Sequence, residues 1–123
     1  TNEITEVVTP PLSTGVILPG VTRDSILALC REWYGSERVK ERRVTMTEVR
    51  DAAARGALAE ALAAGTAAVV SPIASISYKN IASRVPLDAP GGASGLVAAR
   101  AHKELLDIQY GRREHPWSVL VVP

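Results

Sequence analysis

Phenylalanine is missing from this 123-residue chain, cysteine and methionine occur once each, and aromatic residues make up only 4% of it. A single cysteine, Cys30, excludes an internal disulfide and fits a reducing compartment. It falls at an apolar position of a helical pattern, where a small buried hydrophobe is the simpler reading. Only two histidines are present, His102 among charges and His115 in a loop. Neither stands in a Cys, Asp or His spacing that would hold a metal or build a triad, so no metal site is expected. No apolar run approaches the length of a membrane span, and no signal peptide opens the chain. Net charge is +1 with acids and bases interspersed. That leaves no basic face for nucleic acid and no polybasic tether, so neither nucleic acid nor membrane is an expected partner.

What remains is one domain's worth of sequence with an ordinary apolar content of 46%. It begins at Thr1 without an initiator methionine, inside a strand-like run, as a fragment or processed product would. Ile4 to Thr9 reads as a short strand stopped by Pro10-Pro11, and Val16 to Leu18 extends again. The recurrence of Ile26, Leu27, Leu29, Cys30 and Trp33 predicts a helix from about Val21 to Tyr34, ended by Gly35. Glu37 to Val44 suits a partly exposed strand. Thr45 and Glu48 stand in the capping-box relation ahead of a second helix with Met46, Val49 and Ala53 inward. Arg42, Arg43, Arg50 and Arg55 read as solvated faces.

Alanine content makes Ala57 to Ala64 helical by propensity. After Gly65, β-branched residues predict a strand to Pro72, a second through Ile76 and Tyr78, and a hairpin turn at Lys79-Asn80 into Ile81 to Val85, together a meander. Pro86 to Gly95 is loop. A last helix is expected from about Ala93 to Tyr110 with Leu96, Val97, Ala101, Leu105 and Ile108 on one face, and Trp117 to Val122 reads as a final strand.

No complete catalytic set is legible: Glu60 and Asp88 have no partner carboxylate for acid–base work. Two glycine-bearing turns are of a different kind. Gly15-Val16-Ile17-Leu18-Pro19-Gly20-Val21-Thr22-Arg23 turns an apolar run directly into a helix start, where unpaired N–H groups and the macrodipole hold anions. The same turn also has a plain structural reading as a helix entry. Gly65-Thr66-Ala67 offers a hydroxyl and small residues, and Thr66 has the ordinary reading of a β-branched strand residue. Brought together, the two turns would form an anion pocket of amides and one hydroxyl.

The strings Glu6-Val7-Val8-Thr9-Pro10-Pro11-Leu12, Gly15 to Arg23, Gly65-Thr66-Ala67-Ala68-Val69-Val70-Ser71-Pro72 and Asp107-Ile108-Gln109-Tyr110-Gly111, in this order and spacing, resemble the C-terminal part of branched-chain amino-acid aminotransferases, the fold-type IV pyridoxal-phosphate enzymes. Val44-Thr45-Met46 and Ile76-Ser77-Tyr78-Lys79 agree as well. The resemblance covers essentially the whole chain. It implies an α+β fold, a pseudo-barrel of mixed strands with outer helices, forming the C-terminal half of the class IV aminotransferase fold over residues 1–123.

The resemblance also implies that the amides of Val21 and Thr22, at the Gly20 turn, bind the phosphate of pyridoxal 5'-phosphate, with the Thr66 hydroxyl as a further donor and Leu18 bordering the ring. Ala67 and Ala68 would lie beside the substrate carboxylate. Tyr78 and Lys79 would be structural. The family's Schiff-base lysine and the residues that support the pyridine nitrogen belong to sequence not contained in this chain. None of Lys40, Lys79 and Lys103 occupies a matching context, so no catalytic residue is assigned here.

The family often has Phe-Gly before the Gly-Thr turn, where this chain has Leu62-Ala63-Ala64-Gly65. Where mammalian members have a Cys-x-x-Cys pair it has Ala68 and Ser71, which argues against thiol regulation. The expected function is therefore part of an enzyme moving the amino group between branched-chain L-amino acids and 2-oxoglutarate. The expected partners are a complementary N-terminal segment or chain carrying the lysine, an oligomer, and the small amino and 2-oxo acids, in the cytoplasm or mitochondria. The alternative is a non-catalytic binding or scaffold module of the same fold that assembles with a complementary chain.

Overall fold

A computed structural model describes residues 6–66 and 69–121. β1 (Val7–Thr9) leaves through the Pro10-Pro11 break into a 3-10 turn at Leu12–Thr14, and α1 (Val21–Tyr34) follows. β2 (Val39–Glu41) then pairs parallel with β1, Val7 opposite Val39 and Thr9 opposite Glu41. A parallel pair needs a crossover, and α1 is that crossover. The helix ends at Gly35, whose φ of 94° is a left-handed conformation that a side chain would oppose and whose N–H donates to the Arg31 carbonyl at 3.0 Å.

α2 (Met46–Ala54) starts at Thr45, whose hydroxyl accepts the Glu48 amide at 3.1 Å. That is the threonine half of the expected capping box, and Arg42 first, then the nearby Thr45 backbone amide, hold the Glu48 carboxyl below the usual carboxylate range. Arg42 is no simple solvated face. Its guanidinium bonds Glu6 at 2.8 and 3.1 Å and Glu48 at 2.8 Å, joining the start of β1 to α2.

Two antiparallel hairpins come next. β3 (Leu62–Gly65) pairs with β4 (Val69–Pro72), and β5 (Ser75–Tyr78) with β6 (Ile81–Arg84). Lys79 and Asn80, at φ 50° and 64°, make the two-residue turn with both central residues left-handed that suits a tight hairpin. α3 (Leu96–Gln109) completes the set. The core joins Ile26, Leu27, Leu29 and Cys30 of α1 to Val97, Ala98, Ala101 and Leu105 of α3, with Val39 and Val70 from the strands. Packing of α1 on β3 and of α3 on β4 hangs the first hairpin on this helix pair.

Several expectations are corrected. Ala57 to Ala61 is irregular and Leu62 to Gly65 is strand, because pairing with β4 overrides alanine's helix propensity. The meander is two separate hairpins: Ile73 and Ala74 extend one hairpin each, to Ala61 and Val85, instead of pairing β4 with β5. Val16 and Ile17 lie in a bend and Leu18 is irregular. Residues 117–121 form no strand and pair with no strand among the described residues, Val119, Leu120 and Val121 stay exposed, and Val122 lies outside the described residues. Leu96 is half-exposed, while Ala98 takes its place on the buried face of α3. Ile4 lies outside the described residues. The strands described pair two by two, so the mixed α and β class is as expected.

Candidate functional site

The entry to α1 is built by a tight turn in which the Gly20 N–H donates to the Leu18 carbonyl at 2.8 Å, before the Asp24 amide makes the first helical bond to the Gly20 carbonyl at 3.1 Å. Between them the amides of Val21, Thr22 and Arg23 have no intrahelical acceptor. No side chain caps this end. Gly20 has φ −67° and ψ 137°, an extended conformation open to any residue, so its glycine gives access here and is not a conformational requirement. Leu18 and Val21 are 85% and 82% exposed, leaving the donors open to the surface, and Thr22 is half-buried.

Arg23 does not serve this end, because its guanidinium reaches Glu41 at 2.6 Å and the Pro10 carbonyl at 3.1 Å. The site is therefore an array of backbone donors carrying the partial positive charge of a 14-residue helix. Such an array suits an anion with several oxygens.

Thr66 sits exposed at the tip of the β3–β4 hairpin, next to Gly65, which pairs with Val69. Ala67 and Ala68 lie outside the described residues. Val69 has φ 53°, a left-handed conformation that a β-branched residue reaches only under strain of about 1–3 kcal/mol, and nothing in the sequence announces it. The backbone strain thus adjoins the turn singled out for binding. Packing of α1 against β3 ties both turns to one core, and no hydrogen bond links them directly among the described residues.

The second glycine-capped helix differs. α3 begins at Gly95, and the Glu60 carboxylate accepts the N–H groups of Val97 at 2.8 Å and Ala98 at 2.6 Å. A Cβ on Gly95 would overlap the Glu60 carboxyl carbon, so this glycine is needed for space. Glu60 appeared in sequence only as a lone acid. No local signal points to it: Ser94 stands beside the helix start, but its hydroxyl donates to the Gly95 carbonyl at 3.0 Å.

Other chemistry-bearing residues are engaged elsewhere. Lys40 pairs with Glu6 at 3.7 Å, Lys79 lies over the Tyr78 ring at 5.3 Å, and Lys103 bonds Asp107 at 2.6 Å. The His115 ring lies against Trp117, centroids 4.3 Å apart and planes tilted by 50°. Burial pushes the Cys30 thiol up to about 11, far from thiolate chemistry at neutral pH. No group of three His, Cys, Asp or Glu side chains is placed for a metal among the described residues, and no described helix is long and apolar enough to cross a membrane. A phosphate is thus the part of a cofactor for which this chain has fitting donors.

Residues 3–76 match the model of the family described as amino-transferase class IV. A branched-chain-amino-acid aminotransferase of Dictyostelium discoideum is 48% identical over 116 residues, covering 94% of this chain and 30% of that relative. The mitochondrial enzyme of that name from Schizosaccharomyces pombe is 44% identical over 121 residues, covering 96% of the chain and 28% of the relative. The cytosolic one from Ovis aries is 41% identical over 116 residues, covering 94% and 29%. The chain thus spans under a third of the length of these curated relatives. It belongs to the class IV aminotransferase family.

Proposed function

We propose that this class IV aminotransferase chain is the cofactor-phosphate-binding part of an enzyme that transfers the amino group between branched-chain L-amino acids and 2-oxoglutarate. The observation that carries the reading is the uncapped, surface-open start of α1, where the Val21 and Thr22 amides have no intrahelical acceptor. These donors hold the phosphate of pyridoxal 5'-phosphate, which when bound supplies the electron sink for amino-group transfer. Gly20 keeps the approach clear, Leu18 borders the ring, and the Thr66 hydroxyl adds a donor from the hairpin tip. Ala67 and Ala68 leave the substrate carboxylate room beside the backbone.

A complementary N-terminal segment, in the same polypeptide or a second one, brings the Schiff-base lysine. Its strands and those of this chain close the pseudo-barrel, in an oligomer of the cytoplasm or mitochondria. The relatives' greater length and their names support this division of labour.

Native mass spectrometry of the protein purified from its own source tests the proposal. The expected result is this sequence joined to lysine-bearing sequence, with a cofactor-sized addition. A bare chain or homo-oligomer without cofactor would refute it and leave the non-catalytic module derived from the same fold.

A further inference from the structure

We infer that Glu60 is a positioning residue for the phosphate-binding turn at Thr66, acting through the β3–β4 hairpin from its clamp on the start of α3. The inference rests on the phosphate reading above. It starts from how the hairpin is held. Among the described residues β3 and β4 pair only with each other. Ala63, Ala64 and Gly65 are small and exposed, so the β3 leg contributes little packing of its own beyond Leu62, which reaches the core. Val69 and Val70 hold the other leg against the core.

The β3 leg itself is fixed at its base. Glu60 bonds the Val97 and Ala98 amides, and the Ile73 amide donates to the carbonyl of Ala61, the next residue along, at 3.0 Å. One carboxylate therefore fixes the start of the β3 leg to α3, on which β4 packs directly and which is anchored by Val97, Ala98, Ala101, Leu105 and Ile108. From Leu62 to Thr66 the strand runs about 14 Å, so a small rotation at the base is carried to the tip. Hydrogen bonds to a charged oxygen fall off within fractions of an ångström, so displacement at Thr66 lowers phosphate affinity before it unfolds anything. Gly95 belongs to the same device, because any side chain there pushes the carboxylate off the helix end.

The test compares pyridoxal 5'-phosphate with pyridoxal, which lacks the phosphate, by equilibrium titration of the assembled protein with its lysine-bearing segment. Variants are Glu60→Ala, Glu60→Gln, Gly95→Ala, Thr66→Ala and the Glu60→Ala/Thr66→Ala double. Thr66→Ala removes one hydrogen bond to a charged group, about a tenfold loss for the phosphorylated ligand. Glu60→Ala and Gly95→Ala should each weaken that ligand about three- to tenfold with pyridoxal unchanged, Glu60→Gln should recover part of the loss, and the double variant should be no weaker than Thr66→Ala alone.

Equal losses for both ligands would mean general destabilisation and overturn the inference. So would losses that multiply in the double variant, or full affinity in Glu60→Ala. Where Glu60→Ala fails to fold, Glu60→Gln and Gly95→Ala carry the same comparison. If Thr66→Ala leaves the preference for the phosphorylated ligand intact, the phosphate role of Thr66 fails and the positioning role with it, whereas a null result confined to Glu60 and Gly95 leaves the phosphate reading standing.

Discussion

Replacing Gly20 by aspartate should stabilise the fold and weaken cofactor binding at once. At φ −67° and ψ 137° the position is already that of an N-cap, and a Cβ there meets only Arg23 Cβ at 3.8 Å and Arg23 N at 3.9 Å. An aspartate oxygen can accept the Thr22 or Arg23 amide, and its charge complements the helix dipole. Relative to glycine the cap contributes a few tenths of a kcal/mol and the charge roughly 0.3–1, so a gain of about 0.5–1 kcal/mol is expected. For a domain of this size that is a rise in melting temperature of roughly 2–4 °C.

The same carboxylate takes the place of the phosphate and repels it. Each lost bond to a charged oxygen costs roughly 1.5–3 kcal/mol, so affinity for pyridoxal 5'-phosphate should fall about tenfold or more. Circular-dichroism melting and titration of the assembled protein read the two effects separately. Gly20→Asn supplies the cap without the charge and should stabilise less while binding is still impaired, because the same amide is occupied. If Gly20→Asp melts higher and the cofactor binds as before, the phosphate does not sit on these amides and the reasoning is refuted.

Two further outcomes follow from the electrostatics and the core. Cys30 is fully buried with its thiol raised to about 11, so an exposed-thiol reagent at pH 8 should label it only as fast as the chain unfolds, and prompt labelling of folded protein would contradict the packing. The Arg42 guanidinium holds the Glu6 carboxyl below its ordinary value of 4.5, so this pair adds stability above that value and loses it as pH falls through the depressed one. Glu6→Gln should therefore flatten the acid limb of a stability–pH curve below about pH 4.5, by a modest amount because the pair is part-exposed, and an unchanged limb would mean the pair contributes nothing.

The helices were legible because their signals are local. α1 is bounded by glycines and has a full apolar stripe, and it occupies Val21–Tyr34 as its periodicity predicts. Thr45 with Glu48, and Lys79 with Asn80, are local signals too, and the threonine cap and the hairpin turn form as read. What failed depended on partners distant in sequence. Ala57 to Ala64 carries helix propensity, yet Glu60 is drawn to α3 and Leu62 to Gly65 to β4. Residues 117–121 include strand-forming types, and with no strand to join among the described residues they stay irregular, with Val119, Leu120 and Val121 exposed. For the candidate site, the open amides at Gly20 were readable from the turn and helix pattern. The carboxylate at α3 was not, because it lies 37 residues from the amide of Val97 that it accepts.

The two glycine-capped helices bear on each other. At α3 Gly95, Val97 and Ala98 are buried, and the Glu60 carboxylate accepts two of the free amides. At α1 no side chain caps the helix and Val21 is exposed, so solvent can serve the free amides at little cost. That balance changes once additional protein is laid over Leu18 and Val21. The curated relatives are more than three times as long as the stretch they share with this chain, and Leu18 and Val21 are among its most exposed large apolar residues. Covering them without supplying an acceptor would strand the Val21 and Thr22 amides, a cost of roughly 1–3 kcal/mol for each buried, unpaired donor. On the proposed reading an anion at this end would be a requirement of the assembled fold as well as a ligand, and closure over α1 and cofactor binding should be linked: phosphate-bearing cofactor should tighten the joining of the proposed lysine-bearing segment, and pyridoxal should not.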